Sequence, residues 1–123
     1  MSHPPRALVP FTHVADVQRS IDFYQKLGLT IGNTFTPPHE TEPVWAWLTS
    51  HGAQFMVAKA GEPVIASQQA VLFYIYVDDV AAKREELTTL GIPASEIAYP
   101  FYAPRGEFRV VDPDGYVLMI THT

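Results

Sequence analysis

The chain has 123 residues, of which 47% are hydrophobic and 17% charged, and this composition is typical of a single globular domain. Its formal net charge is -5 and no cluster of Lys or Arg occurs along it, which argues against binding to nucleic acid or to an anionic membrane. The absence of cysteine excludes disulfides, thiolate metal sites and cysteine nucleophiles.

No segment of the sequence has the pattern of a membrane span or a signal peptide. The longest apolar run, residues 70–77, is much shorter than the roughly 18 residues that cross a bilayer. Residues 1–6 lack the apolar stretch of a signal peptide. We therefore expect a cytoplasmic protein without a membrane partner.

An internal repeat organises the sequence. When the sequence is shifted against itself by 63 residues, several segments superpose in one register. The matched pairs are Val14–Val17 with Val77–Val80, Leu27–Leu29 with Leu90–Ile92, and Phe55–Val57 with Leu118–Ile120. We interpret the repeat as a duplication that gives two modules, 7–59 and 70–122, joined by a linker at 60–69. Because each copy is too small to bury a secure core alone, we expect a single domain over residues 1–123.

Each module contains one predicted helix. Asp16 and Asp79 are suitable N-caps, while Gly28 and Gly91 stand where the residue after a helix takes a positive φ. Apolar residues recur on one face of the first helix, but in the second helix Arg84 replaces the central apolar residue. We therefore expect the second helix to be more exposed.

Four strands are predicted in each module. They lie at 7–13, 30–34, 44–49, 54–59, 71–77, 95–99, 107–111 and 116–122. Asp112–Gly115 places Pro and Gly where a type I turn with a bulge requires them, and residues 50–52 are expected to do the same in the first module. The Pro-rich segments 36–43 and 99–106 are predicted as equivalent loops.

Two motifs resemble those of a known superfamily. Val14–Tyr24 with Leu27–Leu29 resembles the first module of the vicinal oxygen chelate superfamily, which includes glyoxalases, extradiol dioxygenases, fosfomycin-inactivating enzymes and bleomycin-binding proteins. Phe108 with Asp112–Gly115 and Leu118 resembles its closing hairpin. The resemblance implies an α+β fold in which two βαβββ modules form a cup-shaped sheet. It also implies a homodimer, because a second subunit often completes the pockets of related two-module chains.

The metal ligands of this superfamily have no counterpart at the matching positions. The resemblance implies His, Gln or Glu on the first strand and Glu on the last strand of a module in metal-dependent members. Here the first-strand positions hold Val9 and Leu72, and the last-strand positions hold Met56 and Met119. Aliphatic and thioether groups are poor replacements for imidazole and carboxylate ligands. We therefore expect no metal and no cofactor, and the main reason to predict metal-dependent chemistry is removed.

The alternation of side chains along a strand predicts which residues line the cup. Phe11 and His13 share a face with Val9, Tyr74 and Tyr76 share a face with Leu72, and the closing hairpin adds the cation Arg109. The predicted ligand-binding residues are Phe11, His13, Met56, Tyr74, Tyr76, Tyr102, Arg109 and Met119. Such an aromatic and thioether lining suits a flat or irregular small molecule, although the same residues could simply fill the cup.

Three other aromatic residues have different expected roles. By the repeat, Trp45 and Trp47 share the face of Phe108 and Val110, and we predict them to be core residues. Tyr102 lies in the second Pro-rich loop, where it can contact a ligand or become buried in a dimer contact.

The sequence leaves three hypotheses for function. The first is a metal-free protein that sequesters a drug or binds a metabolite, the ligand being a small amphipathic or aromatic molecule. The second is a lyase, isomerase or dioxygenase-type enzyme in which His13 acts as a base and Arg109 holds an oxyanion, or in which His13 joins donors such as His122 and Glu107 around a metal. The third is a structural module that binds a protein partner. We favour the first, because no spacing unites three metal donors and a single histidine is weak evidence for a catalytic base.

Overall fold

A computed structural model describes residues 2–123, and Met1 lies outside this range. The chain divides into two compact units, with the boundary between Val64 and Ile65. Because this boundary falls within the predicted linker 60–69, the units correspond to the two predicted modules. A single domain over residues 1–123 stays a prediction.

The first unit is a four-stranded sheet with one helix. Strand β1 (Phe11–Val14) leads into helix α1 (Val17–Leu27), and strands β2 (Thr30–Phe35), β3 (Trp45–Ser50) and β4 (Ala53–Lys59) follow. The spatial order is β1-β4-β3-β2, with β1 parallel to β4 and the other neighbours antiparallel. The unit therefore has the predicted βαβββ order, although β1 begins four residues later than expected.

The second unit is a three-stranded sheet with one α-helix. A short 3-10 helix (Ala66–Gln68) precedes strand β5 (Leu72–Tyr76), helix α2 (Val80–Thr89), strand β6 (Phe108–Val111) and strand β7 (Val117–Thr121). The spatial order is β5-β7-β6, with β5 parallel and β6 antiparallel to β7. The fold class is α+β, as predicted.

The predicted strand at 95–99 is wrong. This segment forms one isolated bridge beside β6, between Ala98 and Glu107. The Ser95 hydroxyl accepts a hydrogen bond from the Arg109 N–H, while the Ser95 N–H donates to the Arg109 carbonyl. A side-chain oxygen thus takes the place of a backbone carbonyl, and the regular pairing of a strand does not develop.

Both helices begin and end at the predicted residues. The side chains of Asp16 and Asp79 each accept a hydrogen bond from the backbone N–H three residues further along. Gly28 and Gly91 follow the helices with φ angles of 110° and 84°, which residues with a Cβ rarely adopt. The aspartates therefore determine where each helix begins, and the glycines determine where it ends.

Helix α1 buries more of its surface than α2, as predicted. The buried residues of α1 are Val17, Ser20, Ile21, Tyr24 and Leu27. In α2 the buried residues are Val80 and Leu87, and Arg84 instead donates hydrogen bonds to the carbonyls of residues 94 and 95. Neither helix of residues 2–123 is long and apolar enough to cross a membrane, and a cytoplasmic location stays a prediction.

The two hairpins that close the units differ by one residue. Four residues separate the paired Thr49 and Gln54 of the first unit, and five separate the paired Val111 and Val117 of the second. The repeat offset of 63 therefore holds for β4 and β7 but becomes 62 for β3 and β6. Because side chains alternate between faces, a shift of one residue moves a whole strand's side chains to the opposite face.

This shift makes the predicted core position of Trp45 and Trp47 wrong. Trp47 is paired with Met56 and Trp45 with Ala58, so both indoles lie on the face opposite the core. The core residues of β3 are instead Ala46 and Leu48, whose side chains are fully buried. Both tryptophans are half-buried.

Candidate ligand-binding faces

Each sheet has one buried face and one face that we call open, because its side chains remain accessible. In the first unit the buried face carries Ala46, Leu48, Phe55 and Val57. Burial alternates along the strands, since every second residue of β1, β3 and β4 is buried. The residues between them form the open face.

The open face of the first unit holds three of the predicted site residues. Phe11 is paired with Met56 across the parallel strands, and His13 follows Phe11 on the same face. The rings of Phe11 and His13 meet edge to face, with centroids 5.5 Å apart. The Phe11 side chain remains 50% exposed. Phe11, His13 and Met56 therefore share one face, as alternation predicts, and their role in ligand binding stays a prediction.

Two tryptophans and a phenylalanine extend this aromatic surface. Trp47 lies beside Met56, while Trp45 is paired with Phe35 of the edge strand β2. Gly32 permits a close approach, since a Cβ at this position would lie 3.3 Å from the indole Cδ1 of Trp47. The repeat offset of 63 wrongly assigned both tryptophans to the core. The first turn is one residue shorter than the second, and this difference in the sequence indicates that they lie on the open face.

The open face of the second unit holds four predicted site residues in two adjoining rows. Tyr74 is paired with Met119, and Met119 with Arg109, so these three side chains lie side by side. Tyr76 lies next to Tyr74, with ring centroids 6.4 Å apart. Tyr74 and Tyr76 are 46% and 60% exposed. These four residues therefore share one face, as alternation predicts, and their role in ligand binding stays a prediction.

Tyr102 reaches the edge of this face through Glu107. The Tyr102 hydroxyl donates a hydrogen bond to Glu107 Oε1 over 2.8 Å. That hydrogen bond raises the pKa of Tyr102 above its ordinary value, and the nearby Tyr74 contributes in the same direction. The same hydrogen bond links the loop before β6, to which Tyr102 belongs, to Glu107. Sequence reasoning proposed Tyr102 but considered Glu107 only as a metal donor.

The residues present do not fit the metal site of metal-dependent relatives. Within residues 2–123, no three His, Asp or Glu side chains are grouped so that they could hold a metal ion. Met56 and Met119, at the positions where the resemblance implies carboxylates, lie on the open faces, and Leu72 lies on the same face as Met119. Thioether and aliphatic groups supply poor donors for a hard divalent ion.

His13, the candidate base, and His122, named only as a possible metal donor, lie in different surroundings. His13 is exposed on the open face of the first unit, where it can contact a ligand. His122 is buried, its Nε2 accepts a hydrogen bond from the Arg105 backbone N–H over 2.9 Å, and the Arg105 guanidinium lies against Nδ1. His122 therefore ties the loop before β6 to the end of β7.

These features define a class of small α+β proteins with paired modules and apolar open sheet faces. The model of the Glyoxalase/Bleomycin resistance protein/Dioxygenase superfamily matches residues 11–120, and the chain belongs to this superfamily. No curated protein matches the chain in sequence.

Solved structures with the same fold include proteins described as binding antibiotics. The bleomycin resistance determinant encoded on the transposon Tn5 has 17% identity and a TM-score of 0.75, over 97% of this chain and 98% of that one. A bleomycin-binding protein complexed with bleomycin has 16% identity and a TM-score of 0.75, over 97% and 99% of the two chains. TnmS3, an antibiotic binding protein from Streptomyces sp. CB03234, has 19% identity and a TM-score of 0.73, over 99% and 98%. At these identities the similarity establishes the fold alone.

Proposed function

We propose that this protein binds a small amphipathic or aromatic molecule on its open sheet faces and does so without a metal ion. The observation that carries the proposal is the exposure of large aromatic side chains in rows on both sheets, such as Phe11 and Tyr76. Monomeric soluble proteins rarely leave contiguous apolar patches of this kind unless they bind something. Aromatic rings and thioethers together adapt to flat and irregular ligands.

The role that fits these faces is sequestration of a drug or binding of a metabolite. The superfamily includes bleomycin resistance proteins, and structural neighbours are described as binding bleomycin or other antibiotics. Arg109 adds one exposed positive charge to the open face of the second unit, which argues against a polycationic ligand.

Tryptophan fluorescence can report ligand binding, because both tryptophans of the chain lie on the open face of the first unit. We expect bleomycin or 1-anilinonaphthalene-8-sulfonate to change tryptophan fluorescence saturably and to raise the melting temperature. A ligand at a hundred times its Kd stabilises the fold by about 2.7 kcal/mol. If neither probe changes the fluorescence or the melt at millimolar concentration, the proposal fails.

A pair of variants tests whether the faces are the binding surface. Tyr74→Ala should weaken binding at least about fivefold, because it removes a ring from the centre of the second open face. Leu90→Ala removes a comparably exposed apolar side chain beyond the end of α2 and should leave the affinity unchanged. Equal losses in both variants would place the ligand elsewhere.

A homodimer is part of the same proposal. Phe101 and Tyr99 are among the most exposed aromatic side chains of the described residues, and contact with a second subunit would cover them. We expect sedimentation to give a dimer at micromolar concentration and Phe101→Asp to give a monomer. A monomeric wild-type protein would refute this part of the proposal.

A further inference from the structure

One carboxylate oxygen at the edge of the second open face has no partner. Glu107 is only 6% exposed, and its Oε1 accepts the Tyr102 hydrogen bond. Among the described residues, Oε2 is buried and accepts no hydrogen bond. Burying a carboxylate oxygen without a donor is unfavourable, and native structures rarely leave such a group unpaired without a reason.

The backbone holds this carboxylate in place. Glu107 forms both backbone hydrogen bonds of the bridge to Ala98, at 2.8 and 2.9 Å, immediately before β6 begins. Alternation along the chain puts its side chain on the same side as Arg109, two residues further on. The hydrogen bond from the Tyr102 hydroxyl, 2.8 Å long, holds the carboxylate against the loop that precedes β6.

No cation within the described chain neutralises Glu107. Arg109 and Glu107 are not within ion-pair distance, and the ion pair found in the second unit joins Lys83 to Glu86 on α2 instead. A buried acidic group is normally paired with a donor or a cation. The described residues therefore supply neither a donor nor a cation to Oε2.

We propose that Glu107 anchors a single protonated amine of the molecule bound on the open face of the second unit. An ammonium group supplies N–H donors and the opposite charge, so it satisfies Oε2 with a charge-assisted hydrogen bond. Arg109 on the same face selects against further positive charges. The inference rests on the proposed function and specifies its ligand: an aromatic or apolar body that carries one amine.

Three small probes separate the amine from the ring. Tryptamine, 3-propylindole and indole-3-propionate share an indole and a short alkyl chain but end in an ammonium, a methyl and a carboxylate. By calorimetry at pH 7.5 and low salt, we expect tryptamine to bind the wild-type protein about tenfold tighter than 3-propylindole, which equals about 1.4 kcal/mol. Indole-3-propionate should bind no tighter than 3-propylindole.

Glu107→Gln assigns this preference to the carboxylate. The variant keeps the side-chain shape, so it should bring tryptamine down to the affinity of 3-propylindole and leave 3-propylindole unchanged. Glu85→Gln, an equal loss of charge on the exposed side of α2, should change neither affinity. The melting temperature of Glu107→Gln should equal or exceed that of the wild type, because a neutral amide is easier to bury than an unpaired carboxylate.

The outcomes distinguish the inference from the proposed function. If all three probes bind equally, or if the preference for tryptamine survives in Glu107→Gln, the inference is overturned and the proposed function stands. If Glu107→Gln melts lower and binds every probe more weakly, Glu107 has a structural role and the inference is also overturned. If none of the three probes binds, the proposed function and the inference fail together.

Discussion

The strand before the closing turn presents Trp45 and Trp47 on the open face of the first unit, whereas the equivalent places in the second unit hold Glu107 and Arg109. The neighbouring last strands hold a methionine at the same point, Met56 and Met119. The same arrangement of strands thus presents aromatic side chains in the first unit and charged side chains in the second.

The difference arises from the turns as well as from the side chains. The first turn has two residues between Ser50 and Ala53, and His51 takes a positive φ of 52°. The second turn uses Gly115 with a φ of 92°, and Asp112 accepts hydrogen bonds from two backbone N–H groups. The longer turn adds one residue, and this residue changes the face on which every side chain of the preceding strand lies.

The largest expected contrast between the units lies in their helices. Ile21 is fully buried in α1, and Arg84 is its equivalent in α2. Ile21→Ala should lower the free energy of unfolding by about 3 kcal/mol, because it leaves a cavity beneath the helix. Arg84→Ala should lower it by about 1 kcal/mol through the loss of its hydrogen bonds to carbonyls. Urea unfolding of both variants measures the difference.

Similar losses in the two variants would contradict this comparison. They would mean that α2 contributes to its core as strongly as α1 does, despite having two buried residues. A change in the urea m-value of either variant would indicate an altered unfolded state, so the m-values serve as the control.

Local signals in the sequence were sufficient for the helices and for most of the open faces. Asp16 and Gly28 are capping residues whose chemistry depends on a few neighbours, and the alternation around Tyr74 depends only on its own strand. The predictions that failed needed information from a partner strand. The face of Trp47 depends on the length of a turn, and the lost strand at 95–99 depends on the Ser95 hydroxyl beside β6.

Glu107 shows a further limit of sequence reasoning. An isolated acidic residue before a strand is normally exposed, and nothing in its neighbours along the chain indicates that it is buried. Glu107 is nevertheless buried, and its contact with Tyr102 comes from the loop that precedes β6. A site that depends on loop packing is visible only in three dimensions.

The closing turns provide the second contrast. A Cβ on Gly115 would lie 2.6 Å from the Cα of Ala66, and Gly115 also has a positive φ. Gly115→Ala should therefore lower the free energy of unfolding by about 2 kcal/mol or more, through strain and a clash with backbone. A Cβ on Gly52 would meet no atom within 4 Å, so Gly52→Ala should change stability by less than about 1 kcal/mol. Thermal melts compare the two, and equal effects would show that the turns are equivalent.

The smallest expected effect tests the corrected position of Trp47. Because its indole is half-buried on the open face, Trp47→Ala should lower the free energy of unfolding by about 1 kcal/mol, well below the loss for the fully buried Leu48→Ala. Arg109→Ala, at the equivalent place in the second unit, should change stability by less than about 0.5 kcal/mol. If Trp47→Ala destabilised the protein as much as Leu48→Ala, the indole would belong to the core, and the aromatic surface of the first unit would lose its central side chain.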